Sequence, residues 1–285
     1  MRFHRDWVPM LVFCFQYTVM CQCQRMDESI NDWEQTDPRL IRYIRENLLE
    51  PPPLIPDSIS EMDTSSDVHG VQDLTSVLVG QYNQPPVIEA LFSDDNATKR
   101  FFIEAGAYDG IMGSNTLRLE LNENWSGLLV EPNPKLYQTV KSRNRNAWTL
   151  PSCFSMRTHP EIVTFDAADQ IGGIVNEETG SKPGDGLTLE GAREEIRLQC
   201  VPLYSVLQAL GNPRVDFFSL DIEGADLQVL KTIPFDQVDF SVIMIEVAHL
   251  GKLQKPIYEN EFARKLFLFL QVRFLKETWT TCARF

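Results

Sequence analysis

One stretch of this chain leaves few choices of fold. Arg100-Phe-Phe-Ile-Glu104, apolar through its middle, runs straight into Ala105-Gly-Ala-Tyr-Asp-Gly110, and an amphipathic stretch follows over residues 114–123. A short continuous apolar run suits a strand buried on both faces of a parallel sheet, and closely spaced glycines suit a tight turn with positive φ. A second run of this kind, Gly127-Leu-Leu-Val-Glu131, ends in an acid 21 residues past Gly110. Strand, glycine turn, helix, strand and terminal acid in that order describe the opening of a nucleotide-binding α/β unit.

The alternation continues downstream. Residues 85–92 read as a helix ahead of the first strand, and Asn133-Pro134 offers a cap and a first-turn proline for the helix after the second. A third strand is predicted over residues 148–154. Residues 164–197 are rich in Gly and Glu and read as a loop-dominated insertion, with a short strand at Val163-Thr-Phe165 just ahead of it. Leu203, Val206, Leu207 and Leu210 share one helical face, strands follow over 215–221 and 241–247, and the chain closes with a helix near 257–270 and a strand at 272–276. Alternation of this kind predicts an α/β, Rossmann-like fold with a mostly parallel sheet and helices on both faces. Residues 81–285 form that domain. Upstream, residues 24–80 are polar and proline-punctuated, a linker carrying one amphipathic helix. Asp37 is its cap, Pro38 its first residue, Leu40, Ile41, Ile44 and Leu48 its stripe, and Pro51-Pro-Pro53 its stop.

The turn and the acid select a ligand. Gly106 and Gly110 let backbone amides approach it, Ala107 and Tyr108 complete the turn, and Glu104 and Asp109 flank it where a carboxylate meets an ammonium. Asn115 opens the helical stretch beyond. Glu131 stands where an acid accepts both hydroxyls of a ribose in this fold. The dinucleotide fingerprint needs glycine at the position of Tyr108, whose side chain obstructs a pyrophosphate, so NAD is disfavoured. S-adenosylmethionine has an ammonium, a ribose and an adenine but no pyrophosphate, and is the expected cofactor. The motif Ser219-Leu-Asp-Ile-Glu-Gly-Ala-Asp226 puts Asp221 at the carboxyl edge of the sheet, facing the transferred methyl group. Asp221, Glu246 or a neutral His249 is the expected acceptor of a hydroxyl proton during transfer. Glu223 and Asp226 have a second reading as the start of the next helix, and with Asp221 they match the spacing of no metal loop.

Charge and leader bound the setting. A net charge of -14 repels phosphate backbones and anionic lipid headgroups, which excludes nucleic acid as a partner. Arg2, His4 and Arg5 precede an apolar run from Trp7 to Cys23, read as a signal peptide or a short type II signal anchor within residues 1–23. Either directs the chain to the secretory pathway, as a lumenal or secreted protein or one held at a membrane by residues 7–23. Three cysteines lie in the leader and three, Cys153, Cys200 and Cys282, in the body. A Cys153–Cys200 disulfide is expected in an oxidising compartment, three buried thiols being the alternative. Asn96-Ala-Thr98 and Asn124-Trp-Ser126 are candidate glycosylation sites.

At Phe102-Ile-Glu-Ala-Gly-Ala-Tyr-Asp-Gly110 and Leu220-Asp-Ile-Glu-Gly-Ala-Asp226 the sequence resembles the FkbM-type methyltransferase family, with the likeness running from residue 81 to residue 247. Its flanks, Ser114-Asn-Thr-Leu117, Trp125-Ser-Gly-Leu-Leu-Val-Glu-Pro132, Asn144-Arg-Asn-Ala-Trp148 and Leu203-Tyr-Ser205, are similar to an animal, Star-like branch of that family, as is the Asp37–Glu46 stretch. The family resemblance implies a class I S-adenosylmethionine-dependent fold and O-methylation of a small-molecule or glycan hydroxyl. The branch resemblance implies a different role, a non-enzymatic trafficking factor assisting endoplasmic reticulum-to-Golgi and endosomal transport of growth-factor-receptor ligand precursors. It also implies a final antiparallel strand pair, of which one strand is expected to be missing here.

Overall fold

The computed structural model describes residues 26–56, 78, 80, 84–93, 99–168, 171–177, 180, 182–183 and 193–245, with residues 268–271 described for backbone alone. Five parallel strands form the centre: β1 (Phe101–Ala105), β2 (Ser126–Val130), β3 (Ala147–Leu150), β8 (Val215–Leu220) and β9 (Phe240–Ile245). Antiparallel β10 (Leu268–Gln271) joins one edge and gives the order β10-β9-β8-β1-β2-β3. The order reverses direction between β1 and β8, the switch point at which open α/β sheets bind ligands. This is the predicted Rossmann-like α/β architecture.

Helices cover both faces because successive side chains of a buried strand point to opposite sides. Ile103, Ala105, Leu128, Val130, Phe218, Leu220, Ile243 and Ile245 project to one face. They pack there with Leu40 and Ile44 of α1 (Pro38–Asn47), Leu203, Val206 and Leu207 of α5 (Leu203–Ala209), and Val229 and Leu230 of α6 (Asp226–Thr232). The intervening residues Phe102, Leu129, Phe217, Val242 and Met244 project to the other face. Their partners include Ile88 of α2 (Pro85–Phe92), Leu119 of α3 (Leu117–Glu123) and Val140 of α4 (Pro134–Ser142).

Local signals start these helices where expected. The Asp37 carboxylate accepts from Arg39 N at 2.8 Å with Pro38 as the first residue, and Asn133 Oδ1 accepts from Lys135 N at 3.0 Å ahead of Pro134. Leu40 and Ile44 of α1 are fully buried and Ile41 and Leu48 pack beside them, so residues 26–56 lie on the domain rather than apart from it. The segment then makes one antiparallel bridge, Glu50 to Thr149, at the β3 edge.

Three expectations need correction. The single strand predicted over 148–154 is two: β3 stays in the parallel sheet, and β4 (Cys153–Phe154), beyond the break at Pro151-Ser152, leaves it. Residues 164–197, read as loop, carry part of a second sheet, ordered β4-β7-β5-β6, in which β5 (Glu161–Asp166) pairs antiparallel with β6 (Gly173–Ile174) and β7 (Glu195–Val201), and β7 pairs parallel with β4. Within the helix predicted over 257–270, residues Leu268–Leu270 are extended in β10; residues 257–267 and the strand predicted at 272–276 lie outside the described residues.

Cys153 and Cys200 face each other across β4 and β7 and form a disulfide. Asn124 is exposed at the end of α3 with φ +55; Asn96 lies outside the described residues. No helix among the described residues is long and apolar enough to cross a membrane, and residues 1–25 lie outside them.

Candidate functional site

At the carboxyl edge of the sheet the ends of three strands are joined through their backbones. Gly106 N and Ala107 N both donate to Val130 O at 3.1 Å, and Asp221 N donates to Ala105 O at 3.2 Å. Gly106 sits at φ +85 with its α-carbon so close to the Asp221 carbonyl that any Cβ would overlap that oxygen. Only glycine suits both demands. Gly110, at φ +80, closes the turn by donating to Ala107 O at 2.8 Å.

Glu131 follows β2 and binds the loops on both sides. Its Oε2 accepts from Tyr108 N and its Oε1 from Asn133 N, each at 2.8 Å. Burial pushes its carboxyl up to about 8, against the opposing pull of those two N–H groups. A buried carboxylate favours donors that stabilise its charged form, and the paired hydroxyls of a ribose are such donors.

The two acids expected to meet an ammonium are occupied by the loop itself. Glu104 Oε1 accepts from Asn115 N at 2.6 Å, and its Oε2 accepts from Thr116 Oγ1 at 2.6 Å and Ser114 Oγ at 2.8 Å. Asp109 Oδ1 accepts from Ile111 N and Met112 N at 2.8 and 2.7 Å. Two arginines from the turn after α4 clamp this assembly. Arg145, 2% exposed, lies 3.5 Å from Glu104 and 2.9 Å from Glu120, and donates to Gly110 O, Ser114 Oγ and Thr116 Oγ1. Arg143 pairs with Asp109 at 3.4 Å and donates to its carbonyl. Glu104 and Asp109 thus shape the turn from beneath it. Sequence reasoning missed both arginines, whose acidic partners are dispersed over residues 104–120.

Asn115 bridges the loop to β8, its Nδ2 donating to Ser219 Oγ at 3.2 Å. The residue is 3% exposed, and its Oδ1 is buried with no hydrogen-bond partner among the described residues. A buried acceptor beside Glu104 and Ser219 offers an ammonium the contact that Glu104 does not. Two side chains hold left-handed backbone next to this point: Tyr108 at φ +54 and Glu223 at φ +57. The other three non-glycine residues with positive φ among those described are asparagines, which tolerate it. The strained pair flanks the Gly106–Asp221 contact, and strain of this kind clusters at ligand sites.

Beyond Asp221 the chain turns under Asp226, whose Oδ1 accepts from Ile222 N at 3.2 Å and whose Oδ2 accepts from Gly224 N at 3.0 Å as α6 begins. Burial first, then the nearby charge of Asp221, raises its carboxyl to about 6. This is the helix-start reading of Asp226. Glu223 stays in the turn ahead of it. Of the predicted site residues, Gly106, Ala107, Tyr108, Asn115, Glu131 and Asp221 surround the joined strand ends. Glu246 and His249 lie outside the described residues.

These residues fit S-adenosylmethionine: a glycine with no room for a Cβ, an unpartnered buried amide oxygen and a buried acid after the second strand. No curated protein and no solved structure matches the sequence. One family model does, described as the methyltransferase FkbM domain, over residues 104–274, from the glycine turn to just past β10. The match implies a methyl donor such as S-adenosylmethionine, and it covers the end of β1, the glycine turn, Glu131 and the Asp221 loop. The chain belongs to the FkbM methyltransferase domain family.

Proposed function

We propose that this protein is an S-adenosylmethionine-dependent O-methyltransferase of the secretory pathway, acting on a hydroxyl of a small molecule or glycan. The observation that carries the reading is the convergence of the Gly106 turn, the Glu131 carboxylate and the Asp221 backbone at the switch point of the sheet. When bound, the donor supplies a methyl group on a positively charged sulfur. Glu131 would hold the ribose hydroxyls and Asn115 Oδ1 the ammonium, with the Asp221 backbone, bound to Ala105 O, closing the site beside Gly106. Transfer of the methyl group to an acceptor hydroxyl would require a residue of this chain to take the hydroxyl proton. Asp221 is the described candidate for that role, with Glu246 and His249 from the chain after β9 as the others. The Cys153–Cys200 disulfide supports an oxidising compartment.

Titration calorimetry of the full-length chain with S-adenosylmethionine tests this reading, with Glu131→Ala as control. Affinity well below millimolar that the variant loses is the expected result. Absence of any binding to the parent chain would remove the enzyme reading. The engaged Glu104 and Asp109 carboxylates favour a second reading, in which the fold is kept without transfer and the protein serves as a Star-like trafficking factor for growth-factor-receptor ligand precursors. Retention of co-expressed precursors in the endoplasmic reticulum on depletion of the protein, together with no donor binding, would select it.

A further inference from the structure

At the amino edge of the parallel sheet, opposite the donor site, α3 ends on Asn124 in the left-handed conformation at φ +55, with its N–H on Leu119 O. Asparagine tolerates that conformation and serves as a helix cap there. The cap accounts for the residue at 124 but not for the one at 126, where Ser126 opens β2 and completes the triplet Asn124-Trp-Ser126. Asn124 is exposed and Ser126 half-buried, and neither side chain makes a hydrogen bond among the described residues. The asparagines nearby are committed. Asn122 Nδ2 donates to Glu89 Oε1 at 3.3 Å, and Asn146 Nδ2 donates to Trp125 O at 3.2 Å.

Trp125 fixes the triplet in place. It is 2% exposed, its ring stands edge-on to Phe92 at 5.1 Å, and Arg100 lies over it with Cζ 5.4 Å from the ring centre. Ser126 N donates to Arg100 O at 3.1 Å and ties the other end of the triplet to the start of β1. With Trp125 anchored inward, the Asn124 amide stays on the surface of a held turn, and a group joined to it stands clear of the core. The middle residue is not proline, so the triplet meets the Asn-x-Ser/Thr requirement. Glu131 lies beyond the far end of β2, and a strand of that length measures roughly 16 Å.

We propose that Asn124 is a modification site, carrying an N-linked oligosaccharide at the edge of the sheet that faces away from the donor. The proposal rests on the secretory-pathway reading above and not on methyl transfer. Asn124 Nδ2 bonds to the anomeric carbon of an oligosaccharide supplied on a lipid pyrophosphate. The bond from that carbon to the pyrophosphate oxygen breaks, the lipid pyrophosphate leaves with the electron pair, and one carboxamide proton passes to a base of the transferring enzyme. The Ser126 hydroxyl is the second feature that enzyme reads. Because Trp125 is buried in the folded protein, transfer precedes its packing, while the chain is entering the lumen.

The test expresses the full-length chain in cultured animal cells, where protection from added protease in sealed microsomes reports entry into the lumen. Release of sugar by the amidase PNGase F in heavy-oxygen water, followed by peptide mass mapping, marks each asparagine that carried a glycan as a heavy aspartate. Conversion at Asn124 is expected in most of the chain. Ser126→Ala, which leaves the left-handed cap untouched, is expected to abolish that conversion, and Ser126→Thr to keep it at the parent level or above. Asn124→Asp, which also tolerates the left-handed turn, should run at the same lowered apparent mass as Ser126→Ala. A protected chain with Asn124 unconverted, conversion that persists in Ser126→Ala, or conversion lost in Ser126→Thr would each overturn the proposal while the location stands. A chain digested in intact microsomes fails the location reading first, and the proposal falls with it.

Discussion

Gly106 and Asp221, 115 residues apart in sequence, meet backbone to backbone where β1 and β8 end, and the space between them admits no Cβ. Gly106→Ala must therefore push the two strand ends apart as well as adopt φ +85. The expected loss of stability is more than about 1 kcal/mol, since alanine is unfavourable at positive φ even without a clash. Denaturant unfolding measures it, and a matching loss of S-adenosylmethionine affinity by calorimetry ties the contact to the site. A variant as stable as the parent would mean that the two loops separate freely.

Glu131 predicts a dependence on pH. Its folded carboxyl titrates near 8 and its unfolded one near 4.5, so the folded state holds a proton that the unfolded state has released between those values. The contribution of this group to stability is full below about 4.5 and is lost as pH rises toward 8. Unfolding midpoints should decline over that window, and Glu131→Gln should flatten the decline. Donor affinity should move the opposite way, tightening as pH rises through 8, because ribose hydroxyls donate best to the ionised carboxylate. A parallel slope in parent and Glu131→Gln would assign the pH dependence to another group.

Arg145 should be among the most sensitive positions in the chain. Replacement by alanine strands Glu104 and Glu120 in the interior, a loss of about 3–5 kcal/mol by analogy with other broken buried pairs. Arg145→Lys keeps the charge but lacks the planar fork that reaches Glu120, Gly110, Ser114 and Thr116 together. It is expected to fold, with donor affinity reduced about tenfold or more. Thermal unfolding and calorimetry on the two variants separate these outcomes.

The Cys153–Cys200 bond closes a 47-residue loop that contains β5, β6 and most of β7. Cross-linking a loop of that length restricts the unfolded chain by about 4 kcal/mol on the chain-entropy account. Replacing both cysteines by alanine should lower stability by an amount of that order. Proteolysis under reducing conditions should cut first within residues 153–200, and initial cleavage within β8 or β9 would show that the second sheet does not depend on the bond.

Much of the parallel sheet was legible because its signals are local. Apolar runs, the caps at Asp37 and Asn133 and the acid at Glu131 each act over a few residues, and each sits where the pattern placed it. Within the second sheet the short strand at Val163-Thr-Phe165 was legible and falls inside β5, but β7 was not, although Glu195-Ile-Arg-Leu-Gln-Cys-Val201 alternates apolar and polar side chains as a half-buried strand does. The Gly- and Glu-rich stretch before it outweighed that signal. The clamp by Arg143 and Arg145 was illegible for another reason. Two arginines among asparagines after a helix resemble a solvated turn, and only the fold brings Glu104, Asp109 and Glu120 to them.

The single bridge between Glu50 and Thr149 has a consequence for how the molecule behaves in company. Thr149 lies on β3, the outer strand of the parallel sheet, and its N–H and C=O are both taken by Glu50, at 2.9 and 3.0 Å. Pro51, Pro52 and Pro53 follow at once, and none has an N–H with which to lengthen the ladder. An outer strand with open backbone groups is a template for another chain to add to. Here the protein's own upstream segment occupies the middle of that strand and then stops, which blunts the edge against self-association and fibrous growth.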